Sequence, residues 1–139
     1  MTNKTSARMN IERAALILNE AKSHLAGKVW NLAVRRSQEA VEIALKGALR
    51  WAAIDVPKVH DVGELMKSLA ERFPQDFSIK IERMCEISEK LAGERLVSFY
   101  GDEEEEKAPE ELYTEDEARK AVSDAEFVLS NCRSLIKQG

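Results

Sequence analysis

The sequence contains few residues that interrupt helices, with only 6 glycines and 3 prolines among its 139 residues. Alanine, leucine, glutamate and lysine, which favour helices, are abundant instead. No apolar run reaches the length of a membrane-spanning helix. The polar start MTNKTSARMN also does not resemble a secretory signal peptide. We therefore expect a helical protein that has no membrane segment and resides in the cytoplasm.

Cysteine and histidine are also scarce, with two of each. Cys85 and Cys132 fall on apolar helical positions outside any CxxC pair, so we expect two buried free thiols and neither a disulfide nor a zinc site. The sequence lacks a Gly-rich phosphate loop, an HExxH motif and a GxSxG motif. From the residues alone we therefore expect no metal and no cofactor, and we assign no catalytic residue.

The net charge of −4 indicates that any nucleic acid binding must depend on a local basic patch. Four basic residues of the second predicted helix could form one: Arg35, Arg36, Lys46 and Arg50. However, Glu39 and Glu42 lie four residues from Arg35 and Lys46, which is the spacing of ion pairs on a helix surface, worth about 0.2–0.5 kcal/mol each. We favour a solvated, ion-paired face over a binding stripe.

Apolar residues recur every three or four positions along most of the chain. The predicted helices run from Asn10, as a cap, to Gly27, from about Val29 to Ile54, from Asp61 to Phe73, from about Ser78 to Phe99, and from Thr114 to the end. Alanines at positions 33, 40, 44 and 48 would allow a neighbouring helix to approach the second helix closely. The pattern predicts an all-α, up-and-down bundle of four long helices plus one short helix, forming a single domain over residues 1–139.

Two helix starts have the pattern of a capping box, in which the cap residue and a glutamate three positions later exchange hydrogen bonds. These pairs are Asp61 with Glu64 and Thr114 with Glu117. The pair His60–Asp61 could also suggest a metal-dependent hydrolase, but two histidines cannot supply the ligands for one. We therefore interpret Asp61 as a helix cap, and His24, near the end of the first helix, as a surface residue.

A loop predicted at about residues 101–113 contains five consecutive acidic residues, Asp102 to Glu106. Their oxygens could attract Mg²⁺ or Ca²⁺. Consecutive like charges repel one another and extend the chain, and the run does not resemble an ordered calcium loop. We expect a mobile, solvated loop.

Arg95 and Tyr100 lie five residues apart at the end of the fourth predicted helix. An arginine can bind a phosphate with two hydrogen bonds, and a tyrosine can donate one or stack on a base. The alternative is an arginine in a surface ion pair and a tyrosine that closes the helix. The residues alone leave both interpretations open.

The segment LAVRRSQEAVEIALKGALRWAAIDVPKVHDVGELMKSL resembles the first half of the HEPN (higher eukaryotes and prokaryotes nucleotide-binding) domain. The positions of the family's pattern are occupied here by Gln38, Glu39, Ala40, Glu42, Ala44, Lys46, His60 and Asp61. The segments RLVSFYGDEE and ELYTEDEARKAVSDAEFVL resemble the second half of stand-alone archaeal and bacterial members, so the resemblance covers about residues 8–136. It implies a helical bundle that forms homodimers and often works beside a minimal nucleotidyltransferase.

Many members of this family are metal-independent endoribonucleases of toxin–antitoxin or defence systems. They carry an arginine followed four to six residues later by a histidine, and two such motifs face each other across the dimer. Arg95 matches the arginine, but Tyr100 stands near the place of the histidine, and a phenol with a pKa of about 10 transfers protons poorly near neutral pH. The resemblance therefore implies a non-catalytic module with Arg95 and Tyr100 in the cleft between subunits, where they bind a nucleotide, a nucleic acid such as RNA, or a nucleotidyltransferase partner. One alternative is a ribonuclease that uses Arg95 and Tyr100, and another is a helical assembly subunit that binds no small ligand.

Overall fold

Three helices of 22 to 24 residues form the centre of the structure, a computed structural model that describes residues 2–137. Within these residues the α-helices are α1 (Asn3–Ala26), α2 (Trp30–Trp51), α3 (Gly63–Ser68), α4 (Gln75–Ser78), α5 (Ile81–Gly93), α6 (Val97–Tyr100) and α7 (Glu115–Ile136). Two short 3₁₀ segments lie at Ala70–Arg72 and Pro109–Glu111. The all-α prediction is confirmed.

Helix α2 lies at the centre of the bundle and packs against α1, α5, α6 and α7. The alanines at positions 33, 40, 44 and 48 are all buried, as expected for close packing between helices. Arg36 of α2 pairs with Glu20 of α1, and Asn10 of α1 bonds to the carbonyl of Ile43, so the two helices run antiparallel. Both predicted buried thiols are confirmed, since Cys85 and Cys132 are free and buried.

The N-cap of helix α1 lies eight residues before the predicted cap, Asn10. Thr2 is its N-cap, and the Thr2 hydroxyl accepts a hydrogen bond from the backbone N–H of Thr5 at 3.0 Å. Asn10 is not a cap but a buried residue within the helix, and it donates to the carbonyl of Ile43 at 3.0 Å. The early turns are helical because Ala7 packs into the core, a contact that the polar sequence around it does not indicate.

One predicted capping box is confirmed and the other is wrong. Thr114 and Glu117 exchange both hydrogen bonds at the start of α7. Helix α3 begins two residues after Asp61, without a side-chain cap, and the Asp61 carboxylate instead accepts from the N–H of Gly63 at 2.9 Å and the hydroxyl of Ser88 at 2.7 Å. Asp61 therefore joins the start of α3 to α5.

The fourth predicted helix is divided into two helices, α5 and α6, and the short helix α4 precedes them. The third predicted helix also ends earlier than expected, at Ser68, and a 3₁₀ turn continues towards Phe73. None of the helices over residues 2–137 has the length and hydropathy needed to cross a membrane.

Candidate ligand-binding site

The break between α5 and α6 places Arg95 at a junction that α2 stabilises. The carbonyl oxygen of Arg95 accepts hydrogen bonds from the guanidinium of Arg35 and from the hydroxyl of Ser98, the latter at 3.2 Å. The N–H of Phe99 bonds instead to Leu96, so the ladder of a continuous helix is interrupted here. Side chains thus occupy the acceptor that a continuous helix would use for its own backbone.

Arg35 connects this junction to the aromatic residues of α6. Its guanidinium lies 5.1 Å from the ring centroid of Phe99, a cation–π distance, and its Nε lies 3.3 Å from the carboxylate of Glu39. Phe99 in turn packs edge-to-face with Tyr100, with ring centroids 5.0 Å apart. One arginine therefore orders the peptide of Arg95 and the aromatic pair together.

The expected ion pairs of α2 are confirmed, at 3.3 Å for Arg35–Glu39 and 3.0 Å for Lys46–Glu42. The face is solvated only in part: Arg50 is exposed, but the side chains of Arg35, Glu42 and Lys46 are only 15 to 17% exposed. Neighbouring segments cover these side chains, so the polar residues of this face are structural as well as solubilising.

The guanidinium of Arg95 has a buried nitrogen, Nη1, that finds no hydrogen-bond acceptor among residues 2–137. A buried donor without an acceptor is unfavourable and marks a place where a ligand or partner can supply one. Tyr100, by contrast, is 67% exposed, and the structure records no hydrogen bond between the two side chains in the described part of the chain. Both predicted site residues therefore lie at one end of the bundle without direct bonding.

Three large side chains at this end are exposed to solvent: Leu96 (66%), Phe99 (47%) and Tyr100 (67%). We call them the α6 patch. Adjacent exposed apolar groups are typical of a surface that contacts a partner.

The acidic segment after α6 forms a closed turn. The backbones of Asp102 and Lys107 exchange hydrogen bonds of 2.9 and 3.0 Å, and the Asp102 carboxylate accepts from the N–H groups of Glu104 and Glu105. Gly101 precedes the turn with a φ of 82°, a conformation that other residues rarely adopt. The glutamate side chains at 103–106 are exposed, as predicted, whereas the mobility of the segment stays a prediction.

Tyr113 fixes the other end of this segment to α5. Its hydroxyl donates to the carboxylate of Glu94, and burial together with that carboxylate raises the pKa of the phenol well above its usual value. A cavity of about 220 Å³ lies beside the pair, with Val34, Leu91 and Ala121 among its lining residues. The sequence did not identify Tyr113, because a contact between positions 94 and 113 depends on the path of the acidic segment.

Glu42 is the centre of a second polar network on α2. Its carboxylate accepts from Gln38 and Lys46 at 3.0 Å. Nδ1 of His60 also lies 3.0 Å from this carboxylate and is the third donor, because an ionised carboxylate can only accept hydrogen bonds. Burial raises the pKa of Glu42, but these three donors outweigh that effect and lower it below its usual value of 4.5. His24 lies apart from this network, in the last turn of α1.

Comparisons with known proteins agree with this architecture. The sequence model of the HEPN domain matches residues 7–135. The crystal structure of an archaeal HEPN homologue is 27% identical, with a TM-score of 0.71, over 94% of this chain and 97% of that one. The crystal structure of a protein from Thermus thermophilus is 26% identical, with a TM-score of 0.74, over 92% of this chain and 96% of that one. None of the curated proteins matches the chain significantly.

Proposed function

The chain belongs to the HEPN domain family, and we propose that it is a homodimeric, non-catalytic binding module whose ligand site contains Arg95 and Tyr100. The ligand is a nucleotide or RNA, and the protein partner is a minimal nucleotidyltransferase of a cytoplasmic two-component system of the toxin–antitoxin type. The partner and the system follow from the family. The geometry around Arg95 supports the position proposed for the ligand.

The unpaired Nη1 of Arg95 is the observation that carries this proposal. Arg35 and Ser98 already bind the carbonyl of Arg95, so the backbone is held while the guanidinium nitrogen stays available. A phosphate oxygen is a suitable acceptor, because hydrogen bonds between a guanidinium and a phosphate are short and charge-assisted. Tyr100 adds an exposed ring on which a base could stack.

The α6 patch supports a second copy of the chain as the covering partner. Burying Leu96, Phe99 and Tyr100 would remove a large apolar area from water, which is the main driving force for association. Two copies related by a two-fold axis would place both Arg95 side chains beside one shared cleft. We expect Phe99→Glu to convert the dimer to a monomer in analytical ultracentrifugation, and a wild-type monomer would contradict this arrangement.

Nucleotide binding can be measured by calorimetry with ADP and with a single-stranded oligouridylate as probes. Arg95→Met keeps much of the aliphatic stem but removes the donors, and we expect at least about tenfold weaker binding, the value of a charge-assisted hydrogen bond. Arg133→Met, on the exposed side of α7, is the matched control and should bind as the wild type does. Equal affinity of the Arg95 variant and its control would refute the site.

A metal-independent ribonuclease is the second candidate, because Arg95 occupies the family's arginine position. Residues 96–101 contain no histidine, and Tyr100 is a poor proton acceptor near neutral pH. On our proposal, single-stranded RNA stays intact in excess EDTA with the folded wild-type protein. Cleavage that Arg95→Met abolishes would establish the ribonuclease instead.

A further inference from the structure

The cavity beside Tyr113 and Glu94 lies between α2, α5 and α7, and its volume is about 220 Å³. A single buried water needs only about 10–15 Å³. The sites of drug-sized ligands measure about 300–1,000 Å³. The cavity therefore has the size for a small organic molecule. Arg95 does not line it, so it is separate from the ligand site proposed above.

The apolar part of the cavity lining comes from all three helices. Val34 of α2, Leu91 of α5 and Ala121 of α7 contribute it, and each of these residues is at most 5% exposed. Carbon atoms of a ligand that pack against these side chains are removed from water, which favours binding. The lining therefore indicates a ligand with a hydrocarbon body.

The charged side chains that line the cavity are mainly acidic. There are four carboxylates against two ammonium groups, a formal charge of −2, and they belong to Glu94, Asp116, Glu117, Asp124, Lys90 and Lys120. A lining of net negative charge attracts a cation and repels an anion. The charge therefore favours a cationic ligand.

Two of these carboxylates have oxygens that the protein satisfies incompletely. Oε2 of Glu94 accepts from the hydroxyl of Tyr113, but Oε1 has no donor among residues 2–137. Asp124 is only 8% exposed, yet its oxygens lie 3.3 Å from Arg83 Nη2 and 3.4 Å from Lys120 Nζ. Charge-assisted hydrogen bonds are shorter, about 2.7–2.9 Å. Both carboxylates can therefore accept a further donor from a ligand.

We propose that this cavity binds a small organic cation, which consists of a primary ammonium or guanidinium group on a short hydrocarbon body. The cationic group carries several N–H donors and bonds to Glu94 Oε1 and to Asp124. The hydrocarbon body packs against Val34, Leu91 and Ala121. The proposal does not depend on the ligand of Arg95.

A cluster of ion pairs that only stabilises the fold is the simpler interpretation of Asp124. Lys120 lies one helical turn before it on α7, at the spacing of a surface ion pair. That interpretation accounts neither for the unbonded oxygen of Glu94 nor for the apolar cavity that both carboxylates line. A cationic ligand accounts for both features.

The test compares three compounds that share one ring and differ in charge: cyclohexylammonium, cyclohexanol and cyclohexanecarboxylate. Each is titrated into the intact wild-type protein, and binding is followed by ¹H–¹³C NMR of the methyl groups of Val34, Leu91 and Ala121. We expect cyclohexylammonium to bind in the millimolar range, because ligands of this size bind weakly. It should bind at least about tenfold more tightly than cyclohexanol, which is the value of a charge-assisted hydrogen bond, and cyclohexanecarboxylate should bind most weakly.

A matched pair of variants tests the role of Glu94. Glu94→Gln keeps the shape of the side chain and an acceptor for Tyr113, and it should weaken the binding of cyclohexylammonium about tenfold without affecting cyclohexanol. Glu86→Gln, an equal charge change on the exposed side of α5 and outside the cavity, should bind as the wild type does.

If Glu94→Gln does not fold, the three compounds and the wild-type protein decide the question. Methyl signals that cyclohexylammonium does not move, or binding of cyclohexanol or cyclohexanecarboxylate as tight as that of cyclohexylammonium, would overturn the proposal. Equal affinities of the two variants for cyclohexylammonium would overturn it as well.

Discussion

Replacing Gly47 by alanine tests how closely α1 and α2 approach each other. A Cβ atom at this position would lie 2.9 Å from Cβ of Asn10 and 3.2 Å from Cδ1 of Ile11. Cβ of Asn10 is fixed to the backbone of α1 and cannot rotate away, so α1 must move, and this strains the hydrogen bond from Asn10 to Ile43. Overpacking of this kind costs about 1–3 kcal/mol, whereas alanine in place of glycine within a helix gains about 1 kcal/mol. We expect a net loss of about 1 kcal/mol.

Gly93 is the matched control, because it is also helical but has no heavy atom within 4 Å of the position of a Cβ. Gly93→Ala should therefore stabilise the protein by about 0.5–1 kcal/mol, because alanine has less conformational freedom than glycine in the unfolded chain and favours the helix. Urea unfolding followed by circular dichroism measures both variants, and their free energies of unfolding should differ by about 2 kcal/mol. If Gly47→Ala stabilised the protein as much as Gly93→Ala does, the close helix contact would be wrong.

Three further substitutions test local features, each by the same unfolding measurement. Gly101→Ala should lose at least about 2 kcal/mol, because its φ of 82° is nearly restricted to glycine and a Cβ would collide with the carbonyl of Lys107. Thr114→Ala should lose about 1 kcal/mol by removing the capping box with Glu117, and an unchanged midpoint would show that the box is not formed. Because the folded-state pKa of Glu42 lies below 4.5, its stabilisation is present above that pH and is lost as the pH falls through the folded value. Glu42→Gln should flatten the acid side of the stability profile, and a profile as steep as that of the wild type would contradict the lowered pKa.

The sequence identified the elements whose stability depends on an apolar stripe and local caps. Helix α2 was predicted within three residues at each end, and the start of α7 at Thr114 was correct, because a capping box is encoded within four residues. The break between α5 and α6 could not be predicted in this way. It depends on a hydrogen bond from Arg35 to the carbonyl of Arg95, which is 60 positions away in the chain.

The candidate site shows the same division. Arg95 and Tyr100 were noted from the residues and assigned a binding role through the family pattern, and both lie at the α5–α6 end of the bundle. The roles of Arg35 and Asn31 were missed, since Asn31 reaches the carbonyl of Ser98 over 67 positions. Nor could the spacing of charges on α2 reveal that Glu42 holds His60, because the partner comes from the linker after the helix. Periodicity reports which face of a helix is polar, but not which distant segment covers that face.

The distribution of charge along the chain narrows the choice of ligand at Arg95. Residues 101–117 contain ten of the 25 acidic side chains and one of the 21 basic ones, so the rest of the chain carries 20 basic against 15 acidic groups, a net charge of +5. The overall value of −4 thus conceals a basic bundle with an acidic segment directly after α6. A long RNA strand that reaches Arg95 would place several phosphates near this segment, within the Debye length of about 10 Å at 0.1 M salt, where like charges still repel. A single nucleotide carries far less negative charge near the acidic turn. A protein partner with a basic surface would be attracted by the turn. The acidic turn therefore favours a small phosphate ligand or a basic protein partner over a nucleic acid strand.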